Sequence, residues 1–113
     1  MSESVIQRKV AKLVKAELSH ILSFELKYVA GAMITISAVR MTGDLGIAKV
    51  YLTVLPAAKL PQVLEALSEN NWEVRRALAA RIRNKVRKIP ELRFFEDDSF
   101  EYASRIDDLL NDD

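Results

Sequence analysis

The side chains best suited to chemistry are concentrated in one basic stretch. Between Asn70 and Arg93 stand Arg75, Arg76, Arg81, Arg83, Lys85, Arg87, Lys88 and Arg93, opposed only by Glu73 and Glu91, a local charge of +6. Read at 3.6 residues per turn, this stretch gathers Val74, Leu78, Ile82, Val86 and Ile89 on one side. Arg76, Arg83 and Arg87 gather opposite, within about 40° of one another. Arg81, Lys85 and Lys88 follow one flank, and Arg75 lies near the apolar edge. Within the predicted helix no acid four residues away answers Arg83 or Arg87, and like charges at that spacing cost roughly 0.2–0.5 kcal/mol. Arginine's planar fork grips phosphate oxygens in pairs, so the pattern points to a polyanion, a nucleic acid above all. Asn70 and Asn71, with the free N–H groups of a helix start, add to that. Lys12 and Lys15, on the polar side of an earlier helix, extend the candidate surface. The plainer alternative is a solvated helix face with an internal counter-charge. From Phe94 onward eight acidic residues stand against Arg105 alone, a local charge of −7.

Other chemistry finds little support. The sequence has no cysteine and one histidine, His20, so disulfides, thiol catalysis and a zinc cluster are not expected. There is no nucleophile elbow, no phosphate-binding glycine loop and no dinucleotide fingerprint. The acid pairs Asp97–Asp98, Asp107–Asp108 and Asp112–Asp113 diverge on a helix and read as caps and solvated tail, not as one metal-ligand set. No nucleophile, base and orienting group come together. A non-enzymatic protein without cofactor or metal is expected.

The elements that must position the basic stretch follow from length and periodicity. At 113 residues, 50% hydrophobic and 29% charged, the chain has the size of a single domain and too much apolar content for global disorder. No apolar run reaches the ~18 residues of a membrane span, and MSESVIQRKVAKL lacks a signal core, so a cytoplasmic protein is expected. Residues 3–24 read as a helix capped by Ser2 or Ser4, with a stripe of Ile6, Val10, Leu13, Val14, Leu18, Ile21 and Leu22. Residues 33–41 and 47–55 read as a hairpin around Thr42–Gly46, whose glycines and aspartate suit positive φ. In the first strand Ile34, Ile36 and Ala38 alternate with Thr35, Ser37 and Val39. In the second Ala48, Val50, Leu52 and Val54 alternate with Lys49, Tyr51 and Thr53. Tyr51 on an open sheet can stack on a base, but it is more simply a β-favouring residue. An RNA-recognition-motif pattern also needs a strand before the first helix and clustered aromatics, and neither is evident.

A short helix over 59–68 carries Pro61 in its first turn. Glu69, Asn70 and Asn71 break it, with Trp72 read as an anchor for the kink. A second helix is predicted over 72–88, stopped by Pro90. Leu92–Glu96 reads as a third strand, and 100–110 as a last short helix with Phe100, Ala103, Ile106 and Leu110 inward. The result is an α+β fold, one three-stranded sheet covered by helices on one face. No long apolar seam demands a dimer, so a monomer is expected.

Helix–strand–strand–helix–helix–strand is the order of a type II KH domain. The segments MITISAVRMTGDLGIAKVYLTVL, VRRALAARIRNKVRKIPELRFFEDDS and RIDDLL together resemble the ribosome-binding factor A family over nearly the whole chain. The most specific part is the basic run followed by PELRFFEDDS and a short helix ending in Leu109–Leu110. The resemblance implies a bacterial, cytoplasmic, KH-like factor that is not an enzyme. It implies binding to the small ribosomal subunit and its 16S rRNA. It further implies help in late maturation including 5′-end processing, a link to growth in the cold, and release by a ribosome-assembly GTPase. The family's helix–kink–helix carries an Ala-x-Gly interruption. Here the corresponding residues are Glu69, Asn70, Asn71 and Trp72, without glycine, so the kink is assigned to asparagine. A second reading is a protein-interaction module, with the acidic segment from about residue 107 docking a basic partner.

Overall fold

The computed structural model describes residues 3–97. The predicted last helix, its caps at Asp98 and Ser99, the acidic tail and Ser2 lie outside the described residues. The chain opens with helix α1, Val5–His20. Ser4 caps it: the Ser4 hydroxyl accepts from the Gln7 N–H at 3.0 Å, and the Gln7 side chain accepts from the Ser4 N–H at 2.8 Å. The Gln7 amide also donates to Met41 O at 3.0 Å, so the cap ties the helix to the sheet. The α-helix was predicted to continue through Phe24. It instead widens after His20 into one π turn, Ile21–Glu25, which lets the adjacent Ile21 and Leu22 both bury.

The sheet holds β1 (Met33–Met41), β2 (Ile47–Leu55) and β3 (Glu91–Glu96) in the order β1-β2-β3. β1 and β2 are antiparallel; β2 and β3 are parallel. β2 alternates as its sequence predicts, with Ala48, Val50, Leu52 and Val54 buried. β1 does not. A bulge between Ile36 and Ala38 resets the phase, so Val39 and Met41 join Ile36 in the core. Ala38 and Arg40 turn to the other side, a correction to the strict alternation expected from the sequence. The bulge residue Ser37 has its own partners. Its hydroxyl donates to Tyr51 O at 3.1 Å, and its carbonyl accepts from Lys15 Nζ at 3.2 Å.

The hairpin turn is also built differently from expectation. Positive φ falls on Leu45 (61°), not on Gly43 or Gly46. Leu45 packs partly buried against the core, which offsets the steric cost of that conformation. Asp44 organises the turn, accepting from the Gly46 N–H at 3.0 Å and the Thr42 hydroxyl at 2.8 Å. Those bonds, the Gly46 amide first, hold its carboxyl below the usual range. A Cβ on Gly46 would lie 3.1 Å from that carboxylate, so a side chain here would push the Asp44 carboxylate aside by a few tenths of an ångström.

After a 3₁₀ turn, Ala57–Lys59, come α2 (Leu60–Glu69) and α3 (Asn71–Ile82). Pro61 lies in the first turn of α2 as predicted. Between the helices only Asn70 intervenes, at φ −109° and ψ 24°, so the kink needs no left-handed residue. The three helices share one face of the sheet, where α1 lies along β1, α2 along β3, and α3 against α1. Val14, Leu18, Val50, Leu52, Val74 and Leu78 form the centre of the core.

Leu78 and Leu52 are both fully buried. Leu78→Ala is expected to cost about 2–5 kcal/mol. Urea denaturation followed by circular dichroism checks this; a loss near zero would show that the inner face of α3 is misassigned.

Candidate nucleic-acid interface

The basic stretch does not form the single helix that its sequence predicts. α3 ends at Ile82, with Arg83 as its C-cap, and residues 83–90 run as turns into β3. The Lys85 N–H bonds to Ile82 O at 2.8 Å, a tighter spacing than the α-helix allows. The exit has two physical causes. Continuing the helix would stack Arg83 beneath Arg87. The chain must also reach Glu91, whose N–H bonds to Gly46 O at 2.8 Å beside the hairpin turn. Pro90 is fully buried at the end of this segment. The predicted stripe of Arg76, Arg83 and Arg87 is therefore split, with Arg76 on α3, Arg83 at its end, and Lys85, Arg87 and Lys88 in the return segment.

The fold separates the arginines into two kinds. Arg75 is a clamp: Nε donates to Pro90 O at 3.0 Å and Nη2 to Ile89 O at 2.7 Å. Arg81 bridges elements, donating from Nε to Glu17 of α1 and from Nη1 to Glu25 of the π turn at 2.9 Å. Its bond to Glu17 holds that carboxyl below the usual glutamate range. By contrast Arg76, Arg83 and Arg87 are exposed and have no hydrogen bond or ion pair among the described residues. Lys88 lies close enough to Asp44 to lower its pKa, and Lys85 does the same to Glu17.

The remaining predicted residues are placed as follows. The Asn70 side chain donates to Ala66 O at 2.8 Å, and that of Asn71 to Leu92 O at 3.0 Å. Neither caps α3 through its side chain. Lys15 holds the β1 bulge, and Lys12 shares a hollow with it, Arg8 and Arg40 between α1 and β1. The His20 ring packs against Phe24 in a tilted arrangement, centroids 5.1 Å apart and planes at 49°, and lies 3.4 Å from Glu25. The Tyr28 hydroxyl donates to Glu73; burial first, then that carboxylate, push it well above the usual tyrosine value.

One residue changes character. Trp72, expected to anchor the kink, is 65% exposed. It lines an open hollow of about 510 Å³ with Arg75, Arg76, Lys88 and Ile89. Lys88 also borders a neighbouring hollow of about 640 Å³, where Lys85 and Arg87 surround Ile6, Val10 and Val86. Trp72 and Arg76 are four residues apart on α3, and that spacing was the available signal that both line one hollow. An unpaired guanidinium, that of Arg76, beside an open indole face can hold a phosphate while the indole stacks a base. Among the described residues no three His, Asp or Glu side chains are grouped to hold a metal ion, and no helix is long and apolar enough to cross a membrane.

Comparison with known proteins gives one family. The family described as Ribosome-binding factor A matches residues 6–110. The Ribosome-binding factor A of Chlorobaculum tepidum is 45% identical over 108 residues, covering 95% of this chain and 89% of that protein. That of Flavobacterium psychrophilum is 37% identical over 106 residues, covering 92% and 82%. The crystal structure of ribosome-binding factor A from Thermus thermophilus superposes with a TM-score of 0.65 at 25% identity, covering 80% of this chain and 94% of that one. Coordinates of the Thermus thermophilus factor fitted into a map of its 30S complex share the fold, with a TM-score of 0.64 at 23% identity.

The Glu17–Arg81 bridge gives a pH prediction. A carboxyl lowered in the folded state stabilises fully above the ordinary glutamate value of 4.5, and this is lost as pH falls through the lowered folded value. Glu17→Gln is expected to reduce stability at neutral pH and to flatten the acid limb of the melting-temperature profile. Parallel limbs for both proteins would remove the bridge from the acid response.

Proposed function

The chain belongs to the ribosome-binding factor A family, and from that premise we propose that it binds the small ribosomal subunit through the side formed by α3 and residues 83–88. One observation carries the reading: Arg76, Arg83 and Arg87 are exposed and without a partner among the described residues, Arg76 beside the exposed Trp72, while Arg75 and Arg81 are engaged within the fold. Side chains needed only for stability find partners inside the molecule, and these have none among the described residues. The proposed ligand is the 16S rRNA of the subunit. Phosphates would meet the three guanidinium groups and Lys88, with Lys85 widening the contact. The shape of a folded RNA, more than its base sequence, would set specificity. A glycine-loop clamp on a nucleotide is not part of this reading, since Asn70 and Asn71 bond to the backbone.

The family role extends the proposal. The protein acts as a monomer in the bacterial cytoplasm, without catalysis, cofactor or metal. It assists late maturation of the subunit, including processing at the 5′ end of its rRNA, supports growth in the cold, and leaves with the help of a ribosome-assembly GTPase.

The test is co-sedimentation with isolated small subunits over a range of salt. Arg76/Arg83/Arg87→Gln should fold as the wild type does, because none of the three is buried. It is expected to bind more weakly and to flatten the slope of log affinity against log salt by about two to three. Equal binding by both proteins would remove this surface from the contact. No binding by the folded wild type would favour the protein-interaction reading.

A further inference from the structure

The three helices cover one face of the sheet, and the residues of the other face form two ordered rows. In the first, Ala38 of β1 pairs with Tyr51 of β2, which pairs with Phe95 of β3. In the second, Arg40 pairs with Lys49, which pairs with Arg93. The β1 bulge creates this order. Without the phase change at Ser37, Arg40 would point to the core and Val39 outward.

The Tyr51 and Phe95 rings stack with centroids 5.4 Å apart and planes 27° apart. Phe95 is nevertheless 40% exposed, and the other neighbour of Tyr51 is the small Ala38. The cation row is open as well, with Arg40 and Arg93 side chains 66% and 53% exposed. Arg93 holds Glu91 at 2.7 Å and Arg40 lies 4.0 Å from Glu3, which leaves Lys49, in the middle, as the least committed charge.

The rows lie two residues apart along the strands, about 7 Å. That is comparable to the reach from base to phosphate within one nucleotide. We infer that this sheet face is a second nucleic-acid surface, taking a short single-stranded RNA segment with bases against Tyr51 and Phe95 and phosphates along Arg40, Lys49 and Arg93. Three cations in register favour a polyanion over a neutral or basic protein partner. A duplex keeps its base faces stacked, so only a single strand can use the aromatic pair. Readout would be tolerant of sequence, because every base offers a π face. The surface shares no residue with the α3 side and does not depend on subunit binding there.

The full chain is titrated with a fluorescein-labelled ten-nucleotide oligouridylate, read by anisotropy, alongside amide NMR of the unlabelled complex. Tyr51→Thr/Phe95→Thr keeps β-favouring residues and is expected to weaken binding at least ten-fold with the salt slope unchanged. Lys49→Gln is expected to weaken it less and to flatten the slope by about one. Arg76/Arg83/Arg87→Gln should leave the loss on removing the two rings intact, which separates this surface from the α3 side. In the wild type, amide shifts are expected in β2 and β3, a readout that stands even if the aromatic variant fails to fold. Unchanged affinity in the folded aromatic variant, shifts confined to α3 and residues 83–88, equal competition by a duplex, or no binding by the wild type would overturn the inference.

Discussion

A parallel strand pair cannot be closed by a tight turn, and β3 runs parallel to β2. The chain leaves β2 at Leu55 and must re-enter beside Ile47, where Glu91 takes its place in register. α2 and α3 make that return journey across the core face. The last stretch, residues 83–90, then passes the hairpin turn, where the Glu91 N–H bonds to Gly46 O. Most of what is distinctive in the molecule follows from this crossing. It places Val74, Leu78 and Ile82 over the sheet, ends α3 before its apolar periodicity runs out, and delivers Lys85, Arg87 and Lys88 to the end of the molecule where Asp44 and Leu45 turn.

The crossing also explains why arginines close together in sequence have different tasks. Arg75 points to the carbonyls of Ile89 and Pro90 and fastens the return segment to α3. Arg81 reaches two carboxylates on the first helical arm and fastens α3 to it. These bonds span 14, 15, 56 and 64 residues of sequence. A charge count over a local window cannot see such partners, so the +6 segment reads as uniformly available when part of it belongs to the fold.

Legibility in the sequence follows the same division between local and distant causes. The Ser4 cap, the hairpin, the alternation of β2 and the inner face of α3 are set within a few residues and could be read directly. The β1 phase could not. Val39 buries because Ser37 is stepped out of the ladder and held by Lys15 and Tyr51, from α1 and the neighbouring strand. Gly43 and Gly46 suggested a positive-φ turn, yet Leu45 adopts that conformation because the core takes up its side chain. Pro90 suggested where α3 would stop, but the strand register ends it at Ile82, two turns earlier. The exposure of Trp72 was open to reading, since 3.6-residue spacing puts it on the Arg76 side of α3, away from the buried Val74 and Leu78; its position at the break between helices suggested an anchor instead.

The two groups of cations also differ in what their removal would mean. Removing Arg81 leaves Glu17 and Glu25 without their cation, and removing Arg75 leaves the carbonyls of Ile89 and Pro90 without a donor, so either loss acts on the fold. Arg76, Arg83 and Arg87 have no such dependants among the described residues, and their mutual repulsion favours any arrangement that brings an anion between them. The chain balances 17 basic residues with 16 acids, and none of those acids pairs with Arg76, Arg83 or Arg87 among the described residues. Some of those acids, Glu17 and Glu25, are the partners that lock the crossing in place. The acids that stabilise the fold and the cations left over from it are therefore two outcomes of one topology.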